Sequence, residues 1–529
     1  MKTLYLNAQV YTGQLPLAEC FAVEDGKFCY AGDLTNAPQC DESLDLQGAF
    51  VCPGFNDSHM HLVNFGQTLT IAPLHAHTGS MEEMLQCLRE YMQENKGFRG
   101  GWLMGRGWNQ DYFADGKRMP TRHDLDQVST EIPICAVRAC GHALSLNSKA
   151  IELLGIPNNP IQPDGGQIVL ENGVPNGIFL DNAMEPVYDA IPAPGKDEVK
   201  DMIRAACKAL NGYGITSCHS DDYSTFSNLS WRTVNEAYRE LEEAGELTVR
   251  VNQQANFTNL ADFRDFVANR PEGSQFFKIG PLKMLGDGAL GARTAYLSRP
   301  YADDPGTCGL SVFTQETFDE MIGYANEQGM PIAVHTIGDA CLDRVLSAIE
   351  KALASHPRED HRHGIVHCQI TRADQLEKMA KLGLHIYAQS IFLDYDIRIV
   401  EPRVGPELAQ SSYSWKTLLD NGATVSNGSD CPVELPRVLH GIQCAVTRTC
   451  LDGSEPPYLP DQAFTVQEAI DSFTAGSAYA SFEEHIKGRI CPGMLADFVV
   501  LGGNPFTADP CRIQNIPVLA AYLEGKQVF

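Results

Sequence analysis

Positive charge is scarce in this sequence: 40 Lys and Arg stand against 67 Asp and Glu, a formal net charge of −27. Phosphate recognition needs clustered Lys and Arg, so the balance argues against nucleic acid or an anionic membrane surface as a partner. No apolar stretch is long enough to span a bilayer. Met1 to Pro16 carry one Lys and no sustained apolar core, so no signal peptide is expected. The 17 cysteines are odd in number and none stands in Cys-x-x-Cys spacing. A disulfide scaffold is therefore not expected, and reduced thiols in a cytoplasmic location are. A phosphate-binding Gly-x-Gly-x-x-Gly turn after the first main strand is also lacking.

What is present is a soluble, globular composition, 43% hydrophobic and 20% charged, over 529 residues. That length is too great for one ordinary core and predicts two or three units. Residues 3–12 and 21–31 read as short strands, with Asp25-Gly26 between them as a hairpin turn. Residues 496–501 and 518–523 supply matching pieces at the other end. Residues 1–52 and 485–529 are thus expected to form one β-sandwich from both termini. Residues 71–195 are rich in turn signals, with a helix at Met81 to Met92, and are too long for a loop. They read as an inserted subdomain, able to act as a lid, after a first barrel strand and loop at 53–70.

From residue 196 to about 484 one unit recurs: an apolar stripe at helical spacing, a glycine, then a short apolar strand. The first instance is Val199, Met202, Ile203, Ala206 and Leu210, then Gly212 and Gly214, then 215–219. Helices alternating with apolar strands indicate parallel pairing. With the strand at 55–59, the count is eight: 55–59, 215–219, 248–253, 277–284, 331–336, 364–368, 385–389 and 424–427. Eight closes a (β/α)₈ barrel of the TIM type in an α/β protein. An open doubly wound sheet is the alternative, weakened by the missing glycine turn.

Chemistry in such a barrel sits where the strands end. His59 and His61 end the first strand one residue apart, so in extended chain both rings reach one point, as two nitrogen ligands of one cation would. Lys283 ends the fourth strand, His335 the fifth and His367 the sixth, and Asp430 lies just past the eighth. Asp287 and Arg293 read as an ion pair holding the loop after the fourth strand. Cys368 and Cys431 read as packing.

Several motifs then carry a resemblance. Pro-Gly-Phe-Asn-Asp-Ser-His-Met-His-Leu (53–62), Gly-His-Ala (141–143) and Lys-Met-Leu-Gly-Asp-Gly-Ala-Leu-Gly-Ala-Arg-Thr-Ala (283–295) come first. Ala-Val-His-Thr-Ile-Gly-Asp-Ala (333–340), Gly-Ile-Val-His-Cys-Gln (364–369) and Ser-Asn-Gly-Ser-Asp-Cys-Pro-Val (426–433) follow, and the tail 487–501 matches too. Together they make the chain resemble the amidohydrolase superfamily, in its YtcJ-like branch (amidohydrolase family 3), over nearly its whole length. One departure is Val366, where the family usually has Glu before the histidine.

The resemblance implies His59, His61, His335 and His367 as metal ligands, and Asp430 as ligand and proton-transfer group. It implies Lys283 as a carboxylated lysine bridging two metals; a single-metal site or a structural lysine is the alternative. His142 is implied, weakly, as a substrate contact. One or two divalent ions are expected, zinc first, with iron or manganese as alternatives. The expected activity is hydrolysis of a non-peptide C–N bond of a small molecule by metal-activated water. The same machinery suits an ester, a lactone or a cyclic amidine, and a non-catalytic metal- and ligand-binding regulator is the reading from another class. A homodimer is left open.

Overall fold

The computed structural model describes residues 1–529 except Asn95, Cys140, Gly141, His142, Asp164, Gly165 and Ser227. The chain divides into two compact units, Met1–Leu62 with Cys207–Asp222 and Glu242–Phe529, and Val63–Ala206 with Tyr223–Leu241.

The first unit is built on eight strands: β1 (Phe55–Met60), β2 (Ile215–Ser220), β3 (Arg250–Asn256), β4 (Phe277–Leu285), β5 (Ile332–Thr336), β6 (Gly364–His367), β7 (His385–Ala388) and β8 (Thr424–Asn427). They pair in chain order, each parallel to its neighbour. The open doubly wound alternative is thereby set aside, because a doubly wound sheet reverses its strand order at a switch point. Strand ends fall within a few residues of those read from sequence, and β2, β3, β5, β7 and β8 each start within a few residues after a glycine.

β1 and β8 are drawn together just past the end of β8. The Asp430 N–H donates to the His59 carbonyl at 2.8 Å. The buried Asp57 carboxylate on β1 accepts from the Ser429 hydroxyl at 2.5 Å and from the Ser429 N–H. Gly428 makes this approach feasible, since a Cβ there would meet the His59 nitrogen at 2.5 Å. The eight strands form a nearly closed barrel.

Two smaller sheets draw on both ends of the chain. One holds Lys2–Leu6, Cys20–Glu24, Lys27–Gly32 and Glu42–Asp45; the other joins Gln9–Val10 and Phe50–Pro53 to Phe498–Leu501, Val518–Leu523 and Lys526–Gln527. Asp25 and Gly26 both have positive φ, +50° and +77°, which is the type I′ hairpin geometry the Asp-Gly pair favours. Tyr5, Phe21, Phe498 and Tyr522 pack in one aromatic cluster, with Phe498 stacked on Tyr522 at 4.3 Å. Buried Arg250, at the start of β3, pairs with Asp497 at 2.7 Å and with Glu524 at 3.0 Å, tying the barrel to the C-terminal strands.

The second unit has a seven-stranded sheet that includes Trp102–Trp108, Ile134–Arg138 and Val174–Asp181. Its helix Met81–Gln93 starts at Ser80, whose hydroxyl caps the Glu83 N–H. No helix among the described residues is long and apolar enough to cross a membrane.

Candidate functional site

Four of the residues singled out by sequence meet at the C-terminal end of the barrel strands. His59, His367 and Asp430 offer ligand atoms that all lie within 4.8 Å of one another. His61 joins them: its Nε2 lies 3.2 Å from Asp430 Oδ1, and His59 Nε2 lies 3.3 Å from the same oxygen. His335 stands beside His367, their ring centroids 4.5 Å apart. Lys283 is buried next to Asp221, Nζ to Oδ2 3.8 Å. His142 lies outside the described residues.

The far nitrogen of each ring decides what the near one offers. Gln389 donates its amide N–H to the Tyr387 carbonyl at 3.0 Å, so its oxygen faces His367 Nδ1 at 2.7 Å. Gln254 donates toward the Ser58 carbonyl at 3.4 Å and presents its oxygen to His59 Nδ1 at 2.8 Å. His61 Nδ1 faces the Asp221 backbone carbonyl at 2.9 Å. An acceptor oxygen at each Nδ1 places the ring proton there and leaves a lone pair on Nε2. His335 is set the other way round: its Nε2 donates to the Gly288 carbonyl at 3.2 Å, leaving Nδ1 as the lone-pair nitrogen.

Two ring lone pairs thus confront one carboxylate oxygen at about hydrogen-bond distance, an arrangement that requires a proton or a cation between them. Burial, reinforced by Lys283, pushes His335 down to about 3 and lowers His59. Burial and the neighbouring His335 hold His367 well below its ordinary value. Against its burial, the adjoining His59 and His61 rings hold Asp430 well below the usual carboxylate range. His61 moves the other way: burial opposes it, but the Asp430 hydrogen bond and the Asp221 charge push it up to about 9. A proton on His61 is the competitor that a bound cation displaces.

The donor set, imidazole nitrogens with one anionic oxygen, is that of a borderline-soft divalent ion, so the residues present fit such an ion. Backbone strain accompanies it. His367, Cys368 and Asp430 all have positive φ, +73°, +51° and +57°. Such strained non-glycine residues persist only where the surroundings over-determine them, and they cluster at functional sites. The turn at His367 also carries Cys368 away from the centre, with its Sγ 3.8 Å from Met379 Sδ.

Two features differ from the sequence reading. Arg293 does not pair with Asp287; it binds Asp303 at 3.0 Å. Asp287 is already filled by the backbone N–H groups of Ile337, Gly338 and Tyr296, which lock the loop after β4 to the loop after β5. Asp221 is the second. It lies one residue past β2, faces Lys283 with its side chain, holds His61 with its backbone, and accepts from Asn256 at 2.8 Å.

Comparison with known proteins agrees with this geometry. A profile described as Amidohydrolase family matches residues 42–529. YtcJ of Bacillus subtilis is 33% identical over 100% of this chain and 99% of its own length. An N-substituted formamide deformylase of Arthrobacter pascens is 25% identical, with 99% of this chain and 97% of the relative covered. The crystal structure of an uncharacterized metal-dependent hydrolase from Pyrococcus horikoshii is 27% identical, with a TM-score of 0.78 over 96% of this chain and 99% of that one. The match spans the barrel, its strand-end histidines and Asp430, and this chain belongs to the amidohydrolase family.

Proposed function

We propose that this protein is a metal-dependent hydrolase that cleaves a non-peptide carbon–nitrogen bond of a small molecule. In this reading His59, His61, His335 and His367 would be the nitrogen ligands, Asp430 would be a ligand and the proton carrier, and Lys283, once carboxylated, would supply a further oxygen ligand. Zinc suits the nitrogen-rich donor set, with iron or manganese as alternatives. The observation that carries the reading is the convergence of His59 and His61 on Asp430, with every opposite ring nitrogen already committed.

When bound, the ion lowers the pKa of water toward about 7 and polarises the carbonyl under attack. The protein's residues do the rest. Gln254 and Gln389 hold the His59 and His367 rings so that their lone pairs stay aimed at the centre. Asp430 keeps Oδ1 on the two histidines, and its Oδ2 takes the proton from the attacking water and returns it to the leaving nitrogen. Phe392, stacked over His367 with centroids 5.8 Å apart, covers one side of the ring.

Attack on an ester, a lactone or a cyclic amidine needs the same groups. The formamide deformylase among the relatives supports the carbon–nitrogen reading. Zinc-loaded protein given a panel of N-substituted formamides, N-acyl amino acids, hydantoins and lactones should release amine or open the amide ring. Turnover confined to lactones would move the assignment to carbon–oxygen bonds, and no turnover by metal-replete protein would count against the enzyme reading.

A further inference from the structure

The second unit contains a cavity of about 300 Å³ that the proposed chemistry does not use. Arg99, on the short strand Phe98–Arg99, lines it and is only 6% exposed. The neighbouring strand Trp102–Trp108, which pairs with it antiparallel, supplies Arg106 at the exposed side of the same cavity. Among the described residues no Asp or Glu lines the space.

Arg99 has an unusual environment for a buried guanidinium. Among the described residues its Nε has no hydrogen-bond partner. Its guanidinium lies over the Phe226 ring, with Cζ 4.9 Å from the centroid. The carboxylate of Glu198 is engaged elsewhere, by the backbone N–H groups of Gly100 and Gly195. Burial pulls the Arg99 pKa down and outweighs the opposing pull of Cys135, Glu198 and Tyr188. A buried charge without a partner costs several kcal/mol, so a protein that keeps one either bears the loss or completes the pair with a ligand.

We propose that this cavity binds a small organic carboxylate with an apolar body, its carboxylate pairing with Arg99. Guanidinium and carboxylate match as a planar fork, and that pairing satisfies the vacant Nε. Ile71, Met104 and Val137 give the cavity an apolar wall suited to a hydrocarbon or aryl group. A phosphate ester fits less well, because a dianion needs more donors than one buried arginine and one at the rim provide. The proposal stands on this unit alone and does not depend on the hydrolase reading.

Calorimetric titration of the full chain with phenylacetate, phenylacetamide and phenyl phosphate tests it. Phenylacetate should bind saturably at millimolar concentration or below, the neutral amide should not, and phenyl phosphate should bind more weakly than phenylacetate. Arg99→Met should weaken phenylacetate tenfold or more, with a melting temperature no lower than that of the parent, since it removes an unpaired buried charge. Phenylacetate binding that survives Arg99→Met, equal binding of acid and amide, tighter binding of phenyl phosphate, or a lower melting temperature for Arg99→Met would each overturn the proposal. A crystal soaked in 4-bromophenylacetate gives a readout without any variant: bromine signal in this cavity supports it, and bromine signal only elsewhere refutes it.

Discussion

Asp430→Asn should lower turnover by roughly 10²-fold or more, even in protein whose metal content matches the parent. The amide keeps the shape of the carboxylate and can still present an oxygen to His59 and His61, which now stand 3.3 and 3.2 Å from Oδ1. What it loses is the ability to take a proton. Asp430 is well suited to that task, because the two histidines hold its carboxyl ionised despite burial. Some loss of metal affinity is expected, since His59, His367 and Asp430 form one ligand cluster. The comparison is therefore of kcat per bound ion. Parental kcat in metal-replete Asp430→Asn would remove Asp430 from the proton path.

The second large effect is expected at Lys283, where two consequences of one substitution separate two roles. As an ammonium, Lys283 has a counter-charge in Asp221, 3.8 Å away, with both side chains 1% exposed. Burial lowers its pKa, against the pull of Asp221 and Asp430, which favours the neutral amine that reacts with carbon dioxide. The carbamate is an anionic oxygen ligand. If Lys283 works as that ligand, Lys283→Ala should lose one of two ions and most activity, and bicarbonate or a short carboxylic acid should restore part of both. If it works as the partner of Asp221, the variant should instead lose about 3 kcal/mol of stability. In that case Lys283→Met with Asp221→Asn should recover the stability, and added acid should do nothing. The proposed two-ion site predicts rescue by acid.

Much of the barrel was legible because its signals are local. Five strands, β2, β3, β5, β7 and β8, follow a helical stripe and a glycine, and each candidate ligand is a polar residue at or near a strand end. Asp221 directly follows Ser220 at the end of β2, whereas the strand expected from sequence stops two residues earlier, at His219. Gln254 and Gln389 were not legible. An amide becomes a ring-orienting acceptor only through what lies across the sheet, and Gln254 is 195 residues from the histidine it holds. The pairing of Arg293 was misread for a related reason. Asp287 looks available in sequence, but three backbone N–H groups from two loops, 9 to 51 residues away, occupy its oxygens. The positive φ values at His367 and Asp430 leave no sequence signal, because neither residue is a glycine.

The central claim, that hydrolysis depends on an ion held by these strand-end residues, is tested most directly by returning zinc to chelator-treated protein while following amine release from an N-substituted formamide or its best-cleaved substitute from the panel. The account predicts almost no activity without metal, a rise that ends at about one to two ions per chain, and no rise in a variant carrying His59→Ala and His61→Ala. Full activity in metal-free protein, or an undiminished response in that variant, would contradict it.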